Sequence, residues 1–369
     1  MNFQTIRFNP TTTSDFTKIL RKRVNAYFKT KDISRHANGK MKFKTIFMIA
    51  LCFVPYGFIV SGMVSTPWAF ILLWAVMGMG VAGIGLSVMH DANHDAYSKN
   101  KRVNRMLGYF LNLMGGNSAN WRMQHNVLHH SFTNVDGVDE DITVGKLVRL
   151  SPHQPRLKIH RLQHIYAWFL YSLMTVQWVL TKDYVQLHRY KKMGLIEGQN
   201  LSYSKLLTEM LLFKVVYYGY VVVIPFLVVP IAWYWIALGI VVMLVISGLV
   251  LSAIFQPAHV MPSADFPIPD KTGNIDNDWA VHQLATTTNF APKSTIFSWY
   301  VGGLNFQIEH HLFPNICHIH YKEISRIVKE TANEFNLPYY SEPTFAMALI
   351  KHTRMLKNLG KFDHLPGQF

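Results

Sequence analysis

Charged side chains are scarce in this chain. Only 15% of its 369 residues are Asp, Glu, Lys or Arg, against roughly 25% in a soluble domain. Two blocks, residues 45–90 and 215–264, hold none at all. A charge at mid-bilayer costs about 2.5–3.5 kcal/mol on insertion scales, so such blocks are what membrane-inserted segments require. The scarcity argues against a soluble domain. It also removes nucleic acid as the partner suggested by the net charge of +15, because a membrane protein that keeps Lys and Arg against anionic lipid is basic too.

Cysteine is nearly absent as well. With only Cys52 and Cys317 present, a disulfide framework and CxxC metal sites are excluded, which fits a reducing compartment. The first 40 residues are basic and polar without an apolar core, so no cleavable signal peptide is expected. No internal repeat or low-complexity linker divides the chain, and a single domain over 1–369 is expected. Nor does any Glu-x-x-His pair occur, so the carboxylate-rich di-iron bundle is not the architecture here.

Each charge-free block has room for two helices of about 20 residues joined by a tight turn, near 65–67 in the first block and near Pro230 in the second. The expected fold is an all-α integral membrane protein of two transmembrane hairpins, four spanning helices in all, with a histidine-rich helical cap. The boundaries are a cytoplasmic segment over 1–44 that touches the membrane surface, a first hairpin over 45–90, a cytoplasmic and interfacial stretch over 91–214, a second hairpin over 215–259 and a cytoplasmic cap over 260–369. Neither turn carries Lys or Arg, so the positive-inside rule places the cap and both termini in the cytoplasm, of a bacterial inner membrane or the ER. Residues 106–116 are too few to span and read as interfacial or re-entrant. Residues 164–180 read as an amphipathic helix in the membrane surface, and 322–335 and 344–359 as closing helices. Gly78, Gly80, Gly83 and Gly85 let the second helix approach a neighbour or line a ligand channel.

Against this background the histidines stand out. Residues 121–134 contain His125, His129 and His130; at helical spacing His125 and His129 can address one metal while His130 is turned about 100° away, toward a second. His90 and His94 form an i, i+4 pair where the first block ends, with Asp91 and Asp95 as candidate acceptors that orient an imidazole. His259 ends the second block, and His310 and His311 lie in the polar last third. His160 and His164 form another i, i+4 pair, with no acid or third histidine, and read as interfacial only. Neutral imidazole suits Fe, Zn, Cu and Ni, and eight ligands exceed what one ion uses, so a dinuclear site is the economical reading, with zinc still open.

The boxes HDANH (90–94), QHNVLHH (124–130) and QIEHHLFP (307–314), in this order around two apolar hairpins, resemble the membrane fatty acid desaturases over residues 45–321. They are most similar to acyl-CoA and acyl-lipid members whose third box begins with Gln, including front-end desaturases. The resemblance implies two non-haem irons that activate O₂ and remove two hydrogens from an acyl chain. Their ligands would be His90, His94, His125, His129, His130, His259, His310 and His311. Gln307 stands where stearoyl-type members have His, and is a candidate ligand or outer-shell residue with Gln256, Asp91, Asp95 and Glu309. The implied partners are a fatty acyl substrate, membrane lipid and an external electron donor, a ferredoxin or cytochrome b5 with its reductase, since no HPGG haem motif is present.

That chemistry suits the residues. An unactivated methylene offers side-chain acids and bases nothing to act on, so a metal–oxygen oxidant is required and the protein supplies position. The basic stretch 146–192 is a candidate seat for an anionic head group. A membrane hydroxylase or ketolase would share the histidines but insert oxygen. A b-haem carrier would need His pairs inside facing helices, and a zinc transporter would need polar groups along them.

Overall fold

The computed structural model describes residues 5–9 and 14–363. Residues 1–4 and 10–13 of the expected N-terminal segment and 364–369 of the expected cap lie outside the described residues. The chain divides into two compact units, one built from 38–123 and 169–252, the other from 1–37, 124–168 and 253–369.

Among the described residues, four helices are long and apolar enough to cross a membrane: Gly39–Val60, Pro67–Asn93, Tyr203–Val228 and Trp233–His259. They are the two expected hairpins, but the first and third spans begin earlier than the charge-free blocks. The first includes Lys40, Lys42 and Lys44, and its N-terminus is capped by Asn38, whose side chain accepts from the N–H groups of Lys40 and Met41. The third includes Lys205, Glu209 and Lys214. Glu209 accepts a hydrogen bond from the Tyr109 hydroxyl at 3.1 Å, and Lys214 pairs with Asp183 at 2.9 Å. A charge with partners escapes most of the cost of lone burial, so the absence of charge marks the start of this span too late.

The glycines of the second span pack helices together. A Cβ at Gly80 would come within 2.5 Å of the Cys52 nitrogen, and one at Gly78 within 2.7 Å of the Met243 carbonyl oxygen. These are backbone contacts between neighbouring spans, not a channel wall. In the same unit, residues 106–116 fall within two short helices, Lys101–Gly108 and Phe110–Leu113, and the turn after them. The expected surface helix over 164–180 is instead three pieces, Gln163–Ser172, Met174–Gln177 and a π turn at Trp178–Lys182.

In the other unit, the helix Ser14–Lys31 turns Phe16, Leu20 and Val24, spaced four apart, into a core with Ile324 and Val328 of the helix Tyr321–Glu334. The N-terminal stretch is thus core-forming on one face. Arg23, from its basic run, pairs with Glu334 at 2.7 Å on the other. Two short parallel strand pairs, Arg7–Phe8 with Asn274–Ile275 and Thr288–Phe290 with Tyr340–Glu342, tie distant segments together. The helix Phe345–Lys361 closes the unit. Its last turn is held by buried Arg149, whose guanidinium donates to the carbonyls of Leu359, Phe362 and Asp363. Arg149 is therefore engaged internally, and a head-group seat in 146–192 would have to use the exposed cations such as Lys158 and Arg161.

Candidate metal centre

Residues Met123–His129 form a π-helix. Its i→i+5 bonding is seen where the His130 N–H donates to the His125 carbonyl at 2.9 Å. His125 and His129 stay together, their rings stacked with centroids 5.3 Å apart, and His130, one residue on, also comes in, its Nε2 lying 3.2 Å from that of His125. His129 faces His259 and His311, with ring centroids at 4.7 and 4.9 Å. Just downstream, Asn134 takes a left-handed φ of 60°, a conformation Asn tolerates better than most residues. Its amide donates to the carbonyls of His259 and Asp265, each at 3.0 Å, which fixes the second box to the end of the fourth span.

The third box is placed by a tight turn at Gly302 and Gly303, both with positive φ. A Cβ at Gly303 would sit 3.0 Å from that of His318. The helix Gln307–Leu312 follows. Asn289 starts it, accepting from the Ile308 N–H at 2.9 Å and donating to Glu309 at 2.8 Å. His310 then brings its Nε2 to 2.9 Å from that of His130.

Three overlapping sets have their ligand atoms within 4.8 Å of one another: His129 with His259 and His311, His130 with His310 and His311, and His125 with His129 and Asp141. The six histidines are buried. In each nitrogen–nitrogen contact at most one partner can hold a hydrogen, so at least one bare lone pair lies where His125, His130 and His310 meet. Nε2 of His259 is buried with no hydrogen-bond partner among the described residues, while its Nδ1 lies 3.3 Å from the Thr286 carbonyl. Buried imidazoles that turn their ring nitrogens toward one another are a donor set that fits metal cations.

Asp139 sets the electrostatics. It is fully buried, both carboxylate oxygens lie 3.1 Å from His129 Nδ1, and it also accepts from the N–H groups of Asn134 and Asp141. Burial alone would pull the His129 pKa down, but the charges of Asp139 and Asp141 outweigh it and raise it to about 9. A carboxylate on Nδ1 directs the other nitrogen at the metal position, as is usual for a ligating histidine.

The other expected residues fall as follows. In their own unit, His90 and His94 have ring centroids 4.8 Å apart, and both pack edge-on against Trp121. Asp91 is buried beside them, and Asp95 accepts from the Asn104 amide at 3.1 Å. Gln307 is buried with its Nε2 lacking a partner among the described residues, and Gln256 donates to the Asp141 carbonyl at 3.2 Å. Glu309 turns to Asn289 and Tyr339, and burial raises its pKa to about 7. His160 is buried within the protein, accepting from the Leu157 N–H at 3.0 Å while its Nε2 meets the Lys146 carbonyl at 2.9 Å. Sequence reasoning missed Asp139, Asp141, Thr133 and Gln283. The acids had a signal, four in six residues at 136–141 in a chain with only 21 Asp and Glu; the two neutral residues had none.

The family model for "Fatty acid desaturase" matches residues 66–343. The chain is 37% identical over 349 residues to the sn-1 linoleoyl-lipid 6-desaturase of a Synechocystis species, covering 94% of this chain and 96% of that protein. It is also 37% identical over 348 residues to the enzyme of the same description from Arthrospira platensis, covering 93% and 92%. A third relative is an acyl-lipid (8-3)-desaturase of Physcomitrium patens, 37% identical over 368 residues, 96% of this chain and 74% of that one. With three histidine boxes, four apolar spans and these relatives in agreement, the chain belongs to the fatty acid desaturase family.

Proposed function

We propose that the chain converts a CH₂–CH₂ unit of a lipid-linked fatty acyl chain to a cis double bond, with O₂ and two electrons and two protons yielding two waters. The observation that carries this reading is the convergence of buried imidazole nitrogens, in which His130 Nε2 lies 3.2 Å from that of His125 and 2.9 Å from that of His310. The ligands assigned are His90, His94, His125, His129, His130, His259, His310 and His311, for two non-haem irons. Bound there, iron supplies the O₂-derived oxidising power that an unactivated methylene requires. The protein's residues hold and orient. Asp139 keeps His129 in one tautomer, Asn134 joins the second box to His259, and burial excludes water that would divert the oxidant.

The relatives' names, linoleoyl-lipid 6-desaturase and acyl-lipid (8-3)-desaturase, support an acyl-lipid substrate over acyl-CoA. They also support a new bond on the carboxyl side of an existing one. We assign the electrons to a separate ferredoxin or cytochrome b5, and the histidine boxes to the cytoplasmic side of the membrane. Lipid analysis of a host expressing the chain, with double bonds located by mass spectrometry of derivatised acyl chains, tests the reading. A new double bond in lipid-bound linoleate supports it; a hydroxylated product, or new unsaturation confined to acyl-CoA, overturns it.

A further inference from the structure

Gln283 lies in no histidine box, yet it touches two of them. It sits in the helix Trp279–Thr286 and is fully buried. That helix is fixed at its start by Asp278, which accepts from the Ala280 N–H at 2.7 Å and the Thr17 hydroxyl at 3.1 Å. The Gln283 amide has two ends that behave differently. Its Nε2 donates to the His130 carbonyl at 3.2 Å, a carbonyl that also accepts from the Trp279 indole N–H at 3.1 Å. Its Oε1 lies 2.8 Å from His311 Nδ1 and accepts from the Thr133 hydroxyl at 2.9 Å.

The order of causes follows from what each atom can do. A main-chain carbonyl only accepts, so the NH₂ end of the amide has to face His130. That leaves the oxygen end facing His311, and an amide oxygen also only accepts. His311 Nδ1 must therefore carry the hydrogen, and Nε2 is left as a lone pair. The ligand nitrogen of His311 falls within 4.8 Å of those of His129 and His259. Turning the amide over would set oxygen against the His130 carbonyl and NH₂ against Nδ1. Nδ1 would then have to accept, placing a hydrogen on Nε2, where it blocks ligation.

We infer that Gln283 is a positioning residue for the metal centre, which uses the His130 carbonyl of the second box as a reference to lock His311 of the third box in the Nδ1–H tautomer. The inference rests on the proposed metal reading. It makes Gln283 the neutral counterpart of Asp139, which orients His129 with a charge. Thr133 supports it: its hydroxyl lies within reach of both the His129 carbonyl and Gln283 Oε1, at 2.8 and 2.9 Å.

The test compares wild type, Gln283→Met and Gln283→Glu, each purified in detergent and loaded with Fe²⁺. Retention of Fe²⁺ is measured in competition with a chromogenic chelator, and the metal-free proteins are unfolded thermally. Methionine keeps the length and volume of glutamine but offers no oxygen, so Fe²⁺ retention should fall roughly 10- to 100-fold. Glutamate keeps an acceptor for His311 and should retain Fe²⁺ better than methionine. A purely structural role predicts the opposite ranking, because a buried carboxylate destabilises the metal-free fold more than a thioether does. Retention that follows metal-free stability, or Gln283→Met retention equal to wild type, overturns the inference alone. A wild type that takes up no Fe²⁺ overturns the metal reading and this inference with it.

Discussion

Replacing Lys214 with methionine removes a charge that the third span holds almost wholly out of water. Lys214 is 3% exposed and Asp183 0%, with Nζ 2.9 Å from the carboxylate. The ammonium also donates to the carbonyls of Gly115, Trp178 and Val179 at 2.7, 3.0 and 2.9 Å. At an effective dielectric of ~20, a 2.9 Å pair attracts by about 6 kcal/mol, of which desolvation of the two ions cancels a large part. The variant leaves one carboxyl and three carbonyls without their cation. Burial already raises the Asp183 pKa against the pull of Lys214, so without the lysine the carboxyl takes up a proton, which limits the damage. The net loss should be about 3–5 kcal/mol, as for other buried pairs deprived of one partner. Asp183→Asn should cost less, about 1–3 kcal/mol, because the ammonium keeps its three carbonyls and the new amide can still accept from the Trp178 indole. Reversible unfolding in mixed micelles of rising SDS content measures both. Hydrogen exchange should open first at the π turn Trp178–Lys182 and at Ser118–Arg122, which Asn120 ties to the Asp183 carbonyl at 2.8 Å. A Lys214→Met variant within 1 kcal/mol of wild type, or an Asp183→Asn variant that is equally damaged, would refute the reasoning.

Metal analysis should find close to two irons per wild-type chain and fewer in His130→Ala or His311→Ala, with helix content by circular dichroism retained, since burial of the spans does not depend on metal. His160→Ala should keep its iron and lose about 1–3 kcal/mol of stability, because the Leu157 N–H and the Lys146 carbonyl lose their partner; the reverse pattern would place the centre on other histidines. His352 is buried against the Val260 carbonyl at 2.9 Å, and burial lowers its pKa to about 4 from 6.5. Its folded pKa lies below its unfolded one, so its contribution is complete above pH 6.5 and is lost as pH falls through 4, in all about 3 kcal/mol. Unfolding at a series of pH values should show this loss, and His352→Gln should flatten it. A single cysteine at exposed Ser65, in the turn of the first hairpin, should react with an impermeant maleimide only from outside the cell; labelling from the cytoplasmic side would invert the proposed topology.

What the sequence could disclose follows from which physical constraint acts on single residues. A bilayer excludes lone charges one residue at a time, so the two charge-free blocks reported all four spans. Where a charge has a partner the constraint no longer acts on that residue alone, and Lys214 concealed the start of the third span because Asp183 and three carbonyls are remote in sequence. The histidines were legible for a similar reason. Imidazole at membrane depth is expensive without a role, and residue type alone selected the boxes. Their pairing was legible only in part. A helical wheel drawn at 100° per residue puts His125 with His129, as the structure does, but turns His130 away, whereas in the π form His130 meets His125 as well. The outer shell was less legible again. Asp139 could have been suspected from the acid run beside it, since a carboxylate near a histidine box carries its own chemical signal. Gln283 carries none: a glutamine acquires its role only from the carbonyl that fixes one end of its amide and the imidazole that faces the other. Residues that ligate can therefore be sought by type, whereas residues that set a ligand's tautomer must be found by tracing donors and acceptors outward from each imidazole.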